Sequence, residues 1–354
     1  QSETRILNAN ANASDMTVTV GLTNAHSGTS PTQAEIGLIT HNVKIRSATS
    51  TIMAYVNVKA TATVDIDWAE FRYLGANAAN KRGIEVSTTT GSFNMQYSSI
   101  YDTENYGLYL LGGVTSGSIT FSNNVMYNCD NPGTIATLYL EAVSSGTVTV
   151  TNNYIIGCSV SGSNRGIVTL LDATITFTGN VIAGSVSGAS TTSCGLLIND
   201  ATNPISGFST CTIHTVAGRG IEFDARTSGT LTSFTVYRCG GIGTFWLNNA
   251  PIFRMIFDTC TFFGNTTTNI DFATDYAAII IKDCTIRSDA GFTTATGLNL
   301  SGSGPVYILN SSFSPTTAHT TDIVTTVGKY QPIYAINSSF AAATEVSNIT
   351  SSTA

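Results

Sequence analysis

Three carboxylates, two arginines and three aromatic residues are spaced as a reacting site would need them. Glu222 lies in Gly220-Ile221-Glu222-Phe223 and Asp271 in Asn269-Ile270-Asp271-Phe272, the same place in the same short phrase. The phrase reads Gly-apolar-x-apolar. Its middle position runs Glu85, Tyr109, Tyr139, Val168, Leu197, Glu222, Trp246, Asp271, Asn299, Val324. If each phrase is a strand stacked on the next, this column faces solvent, and Glu222 and Asp271 are two strands, about 10 Å, apart. Carboxyls roughly 6.5–9.5 Å apart suit inverting hydrolysis of a glycosidic bond, so the pair is geometrically admissible. Asp224 points the same way as Glu222, Trp246 lies between the acids, Tyr109 and Tyr139 offer rings for sugars, and Arg219 and Arg226 are suited to a glycan carboxylate. The catalytic candidates are thus Glu222, Asp224 and Asp271, in a glycoside hydrolase or polysaccharide lyase. A purely structural coil also carries a few outward acids and aromatics, and that reading is preferred.

Other groups of chemical interest are sparser. Asp65, Asp67 and Glu70 form an acidic cluster suited to calcium, although no glycine-rich calcium loop follows. The four histidines, His26, His41, His214 and His319, are scattered, and no Ser-His-Asp arrangement follows from them. Of seven cysteines, Cys211, Cys260 and Cys284 share one column and Cys129, Cys158 and Cys239 another. Stacked in register their Cβ atoms would be about 4.8 Å apart, beyond the roughly 3.5–4.5 Å of a disulfide, so buried thiols are expected. No CxxC or His-rich spacing points to zinc, and no cofactor is called for.

The elements that would position these residues are repeats. The motif apolar-x-x-Asn-x-apolar appears as Phe121-Asn124-Met126, Val150-Asn153-Ile155 and Phe177-Asn180-Ile182. With Cys or Ser in the Asn slot it continues as Phe208-Cys211-Ile213, Phe257-Cys260-Phe262, Ile281-Cys284-Ile286 and Ile308-Ser311-Phe313. The last apolar residue of successive copies runs from 71 to 340 in ten intervals, about 27 residues each, a period typical of solenoids. Each period holds at least two short alternating strands between Gly, Asn and Ser turns, and no helical periodicity is sustained. The expected fold is all-β: a right-handed parallel β-helix of roughly eleven or more turns, its hand set by that of parallel crossovers. The Asn column is expected at a bend, as an axial ladder in left-handed backbone.

Composition bounds the function. Charged residues make up 10% of 354, the net charge is −7, and no basic run suggests nucleic acid. No apolar run reaches membrane-spanning length. The organisation expected is an opening strand and loop over 1–33, a β-helix over 34–345 and a tail over 346–354, as a segment of a larger protein or assembly. Neither end shows a capping element, so neighbouring domains or subunits are expected to cover both, and a homo-oligomer is one form such an assembly takes.

Between Gly28 and Gly75 the chain reads GTSPTQAEIGLITHNVKIRS and then VDIDWAEFRYLG. This resembles the opening segment of β-helix proteins of the fibrocystin and cell-migration-inducing hyaluronidase type, and of large appendage and surface proteins of bacteria and phages. The resemblance is carried by Ala34, Glu35, Gly37, Leu38, Asn42, Val43, Ile45, Glu70, Phe71, Leu74 and Gly75, about 50 residues in span. Animal members follow the glycine with a His-rich segment; Asn80 to Val86 here contain none. The resemblance implies an extracellular, cell-surface or virion setting, with glycan contact or a structural role. The function expected is a non-catalytic structural or adhesive module of such an assembly, touching polysaccharide or a surface receptor. Its alternative is a polysaccharide-degrading or glycan-binding β-helix.

Overall fold

Alternation of apolar and polar residues along short strands buries one face of each strand and leaves the other outside. The computed structural model describes residues 43–48, 54–76, 81–88, 90–104, 106–110, 117–131, 136–141, 147–160, 166–170, 175–184, 193–199, 204–224, 228–246, 254–273, 275–313, 319–326, 331–342 and 344–347. These form three long parallel sheets of 11, 11 and 12 strands, plus a two-stranded pair, Asp130–Asn131 with Ser159–Val160. A turn of the coil passes through all three: Phe93–Gln96 in sheet 1, Ser99–Tyr101 in sheet 2 and Leu108–Leu110 in sheet 3, before Ser118–Ser122 re-enters sheet 1. No helix occurs among the described residues. The offset between paired residues ranges from 23 (Ile213 to Val236) to 31 (Ile182 to Ile213), around the expected 27. Variable loops thus leave the register of the strands largely intact, with one irregularity between Ile205 and Phe208 where they pair with Gly229 and Leu231.

The core is a set of axial columns. Sheet 1 contributes Phe121, Val150, Phe177, Phe208, Leu231, Phe257, Ile281 and Ile308; sheet 2 contributes Ile100, Met126, Ile155, Ile182, Ile213, Val236, Phe262 and Ile286. All are buried. The glycine opening many sheet 3 strands has a packing reason: a Cβ on Gly220 would lie 2.4 Å from Val236 Cγ1 and 2.5 Å from the Gly243 carbonyl oxygen.

The Asn ladder exists and is buried. Asn124 Nδ2 donates to Met95 O (2.8 Å), Asn153 Nδ2 to Phe121 O (2.8 Å) and Asn180 Nδ2 to Val150 O (2.9 Å), each reaching one turn back. Their Oδ1 atoms accept the backbone N–H of Ser98, Asn124 and Asn153. Later turns use other donors for the same carbonyl. Cys260 Sγ donates to Leu231 O (3.4 Å), Cys284 Sγ to Phe257 O (3.4 Å) and Ser311 Oγ to Ile281 O (3.3 Å). Asn, Cys and Ser share the slot because each brings a short donor to a buried bend.

One expectation about this bend is corrected. The left-handed backbone belongs to the residue before the ladder: Asn123 (φ 55°), Asn152 (55°), Gly179 (68°), Thr210 (54°), Ser233 (56°) and Thr259 (58°). The ladder residue itself turns inward, so its own amide serves the neighbouring turns. The last strand, Thr344–Ser347, pairs with Thr321–Thr325 and crosses the boundary expected at 345/346; residues 1–33 and 348–354 lie outside the described residues.

All seven cysteines are free and buried. Burial pushes the Cys211 and Cys239 thiols up to about 12, where the reactive thiolate is scarce at neutral pH. We expect no thiol of the native chain to react with a disulfide reagent within minutes, and all seven to react in guanidinium. Fast native labelling, or fewer than seven thiols after unfolding, would contradict this placement.

Candidate functional site

The outward column of sheet 3 follows from strand pairing. Glu85 pairs with Tyr109, Tyr109 with Tyr139, and Tyr139 with Thr169. Thr169 pairs with Leu197, Leu197 with Glu222, Glu222 with Phe245, Phe245 with Asp271, and Asp271 with Asn299. Two expected members are displaced by one residue. Val168 points into the core and Thr169 takes its place. Trp246 is likewise fully buried, stacked on Phe223 (centroids 3.8 Å) and Phe272 (5.5 Å), while Phe245 stands outside. The reason is register. Gly243-Thr244-Phe245-Trp246 is the true copy of the phrase, with Thr244 in the first apolar place, so Trp246 fills the second. Trp246 is no surface ligand-binding residue.

Nor is the column an open face. Glu85, Tyr109, Tyr139, Thr169, Leu197 and Glu222 are each at most 8% exposed, and only from Phe245 onward is it half-buried. Tyr109 and Tyr139 stack at 4.8 Å, with Tyr106 edge-on to both, as a small apolar cluster outside the main core. Arg82 lies over the Tyr109 ring at 4.3 Å. These tyrosines cover the sheet and present little ring face to a sugar.

Around Glu222 the polar residues do converge. Arg219 Nη1 donates to Glu222 Oε2 at 2.7 Å, and its guanidinium caps the Phe245 ring at 3.9 Å. The other carboxylate oxygen, Glu222 Oε1, is buried with no hydrogen-bond partner. One strand beyond Phe245, Asp271 Oδ1 accepts from Asn299 Nδ2 at 3.0 Å. Burial raises the Glu222 carboxyl against the pull of Arg219, raises Asp271 against Asn299 and Arg219, and raises Asp224 unopposed. The three therefore shift in the same direction, whereas an acid–base pair needs environments that push its members apart. Arg226 lies outside the described residues.

The shared direction has a consequence for stability. A carboxyl whose folded pKa is raised binds its proton more tightly when folded, so its contribution is full below its unfolded pKa, about 3.9 for Asp, and is lost as pH rises through the raised value. Asp224→Asn removes that loss. We expect the variant to melt above the parent at pH 8, with the difference vanishing below about pH 4. Equal melting at both pH values would refute the assignment.

The acidic cluster is not brought together. Asp65 and Asp67 lie exposed on Val64–Asp67 in sheet 1, and Glu70 is buried on Ala69–Arg72 in sheet 2, across the bend at Trp68. Glu70 is engaged by the Tyr101 hydroxyl (2.6 Å) and Lys44 (3.4 Å). Among the described residues no group of three His, Cys, Asp or Glu could hold a metal ion.

A buried network escaped the sequence reading. Asn265 Nδ2 donates to Asn269 Oδ1 (2.8 Å), and Asn269 Nδ2 donates to Arg287 O and lies 2.9 Å from His319 Nε2. With that nitrogen accepting, His319 Nδ1 carries the proton and donates to Asp322 Oδ1 at 2.9 Å. Asp322 Oδ2 accepts the backbone N–H groups of Ala341 and Ala342. The His319-x-x-Asp322 spacing was its one visible signal. Closed to solvent, the network ties neighbouring turns together.

The fold agrees with the family comparison: the model of the right-handed β-helix region matches residues 82–249 and 165–346. The chain belongs to that family. No curated protein matches it. Among the described residues no helix is long and apolar enough to cross a membrane.

Proposed function

We propose that this β-helix is a non-catalytic structural module of an extracellular assembly, a virion appendage or a surface fibre. One observation carries the reading. The column where a β-helix enzyme of this register would set its reacting groups is packed shut as far as Glu222. What remains is a rod of three long hydrogen-bonded ladders with outer positions such as Thr120, Thr149, Thr151, Thr176 and Thr178. Low charge and the resemblance of the opening segment support an extracellular place. The test is chemical: incubate the chain with neutral and acidic polysaccharides and assay new reducing ends and unsaturated uronides. The module reading expects neither product.

A second reading, polysaccharide hydrolysis, is favoured by the partnerless Glu222 Oε1 beside Arg219 and the half-buried Asp271. Turnover abolished by both Glu222→Gln and Asp271→Asn would establish it and overturn the first.

A further inference from the structure

Among the described residues eleven turns share the bend between sheets 1 and 2, and nine of them fill its left-handed position with Gly, Asn, Asp, Ser or Thr. The other two use Trp68 (φ 56°) and Tyr97 (φ 48°). Left-handed backbone is unfavourable for bulky side chains and least so for Gly, Asn and Asp. Both rings are also left in water, Trp68 57% and Tyr97 43% exposed, which forgoes the stabilisation an aromatic residue brings when buried. Folding alone therefore favours neither residue at this bend. The two rings stack with centroids 4.8 Å apart and planes within 10°.

The strands leading into these bends supply polar groups beside the rings. Asp65 and Asp67 precede Trp68, and Asn94 and Gln96, paired with them in register, precede Tyr97. Gln96 Nε2 donates to Asn94 Oδ1 at 2.9 Å, and Asn94 Nδ2 donates to Asp65 Oδ1. The relay orients both amides, and the exposed Asp67 and half-buried Gln96 immediately precede Trp68 and Tyr97 in the chain. Among the described residues neither Asp65 nor Asp67 draws an ion pair.

From this juxtaposition we propose that Trp68 and Tyr97, with Asp67 and Gln96, bind a saccharide that is neutral or carries amino groups. The C–H face of a pyranose matches an exposed ring, and its hydroxyls match carboxylate and amide acceptors beside it. Two carboxylates without counter-ions repel uronic and sialic acids and attract an ammonium group. The site lies on the opening turns, far along the rod from Glu222, and does not depend on the structural reading above.

Intrinsic fluorescence tests it directly, because the chain has two tryptophans and Trp246 is sealed in the core. The chain is titrated with oligomers of neutral hexoses, of glucosamine and of galacturonic acid. The site requires a saturable change in emission with the first or second and none with the third. The change persists in Trp246→Phe, disappears in Trp68→Ala, and in Tyr97→Ala needs at least tenfold more sugar. Asp65→Asn with Asp67→Asn is expected to admit the galacturonate oligomer, a gain that a folding defect cannot produce. Absence of a saturable change with neutral and amino sugars overturns the proposal. So does sedimentation showing self-association of the parent that Trp68→Ala abolishes, since the stack would then be a contact between copies.

Discussion

Asn153→Ala will cost about 4 kcal/mol of stability, because two buried backbone groups lose their partners at roughly 1–3 kcal/mol each. The Asn124 N–H loses Asn153 Oδ1 (2.9 Å), and the Phe121 carbonyl loses Asn153 Nδ2 (2.8 Å). Neither finds water, as Asn124, Asn153 and Phe121 are all fully buried. Asn153→Ser should cost less than half as much, since a hydroxyl in this slot makes both bonds: Ser311 Oγ and Ser338 Oγ donate to the preceding carbonyl at 3.3 and 3.2 Å and accept the backbone N–H of Cys284 and Ser311 at 3.1 Å. Urea unfolding followed by far-ultraviolet dichroism measures both. A loss below about 1 kcal/mol for the alanine variant would mean that the ladder is decoration on a fold held by its apolar columns alone.

The ladder also shows why so much of this fold could be read from residue order. A coil repeats its environment every turn, so a demand made once is made eleven times. The inward slots of sheets 1 and 2 asked for apolar residues, and the bend asked for a short donor, giving the columns Phe121-Val150-Phe177 and Asn124-Asn153-Asn180. Loops of variable length blurred the period without destroying it. Where the reading slipped, the slot accepted substitutes that imitate its neighbour. Thr244 in an apolar place moved the frame by one residue and turned Trp246 outward; Ile167 in a glycine place did the same to Val168. Apart from Trp68 and Tyr97, the left-handed position is filled by Asn, Gly, Thr, Ser or Asp, which also crowd every loop, so it had no signature of its own.

The candidate site was less legible for a different reason. Whether Glu222 meets water depends on what lies over sheet 3, and that cover obeys no period. The distance between Glu222 and Asp271 could be estimated from strand spacing; the burial that shifts both carboxyls in the same direction could not. The His319–Asp322 pair is similar. Its partner Asn269 is 50 residues from His319, and only the stacking of turns brings them together.

Trp246→Ala will destabilise the chain by about 3–5 kcal/mol, as expected for deleting a fully buried large aromatic side chain, and will leave any saccharide binding unchanged. The indole sits in an inward column between Phe223 and Phe272, so its removal opens a cavity that two flanking rings in fixed strands cannot collapse to fill. Trp246→Phe, which keeps an aromatic ring in the Phe223–Phe272 stack, is expected to cost less than half as much. A surface role would give the reverse result: normal melting and lost binding. The same pair of measurements on Trp68→Ala should show that reverse pattern, because one indole is exposed at a bend and the other is sealed in the core. Melting curves and sugar titrations on the two alanine variants therefore check the register of sheet 3 and the exposed bend together. If Trp246→Ala melts with the parent, the Gly243-Thr244-Phe245-Trp246 register is wrong and the outward column must be redrawn.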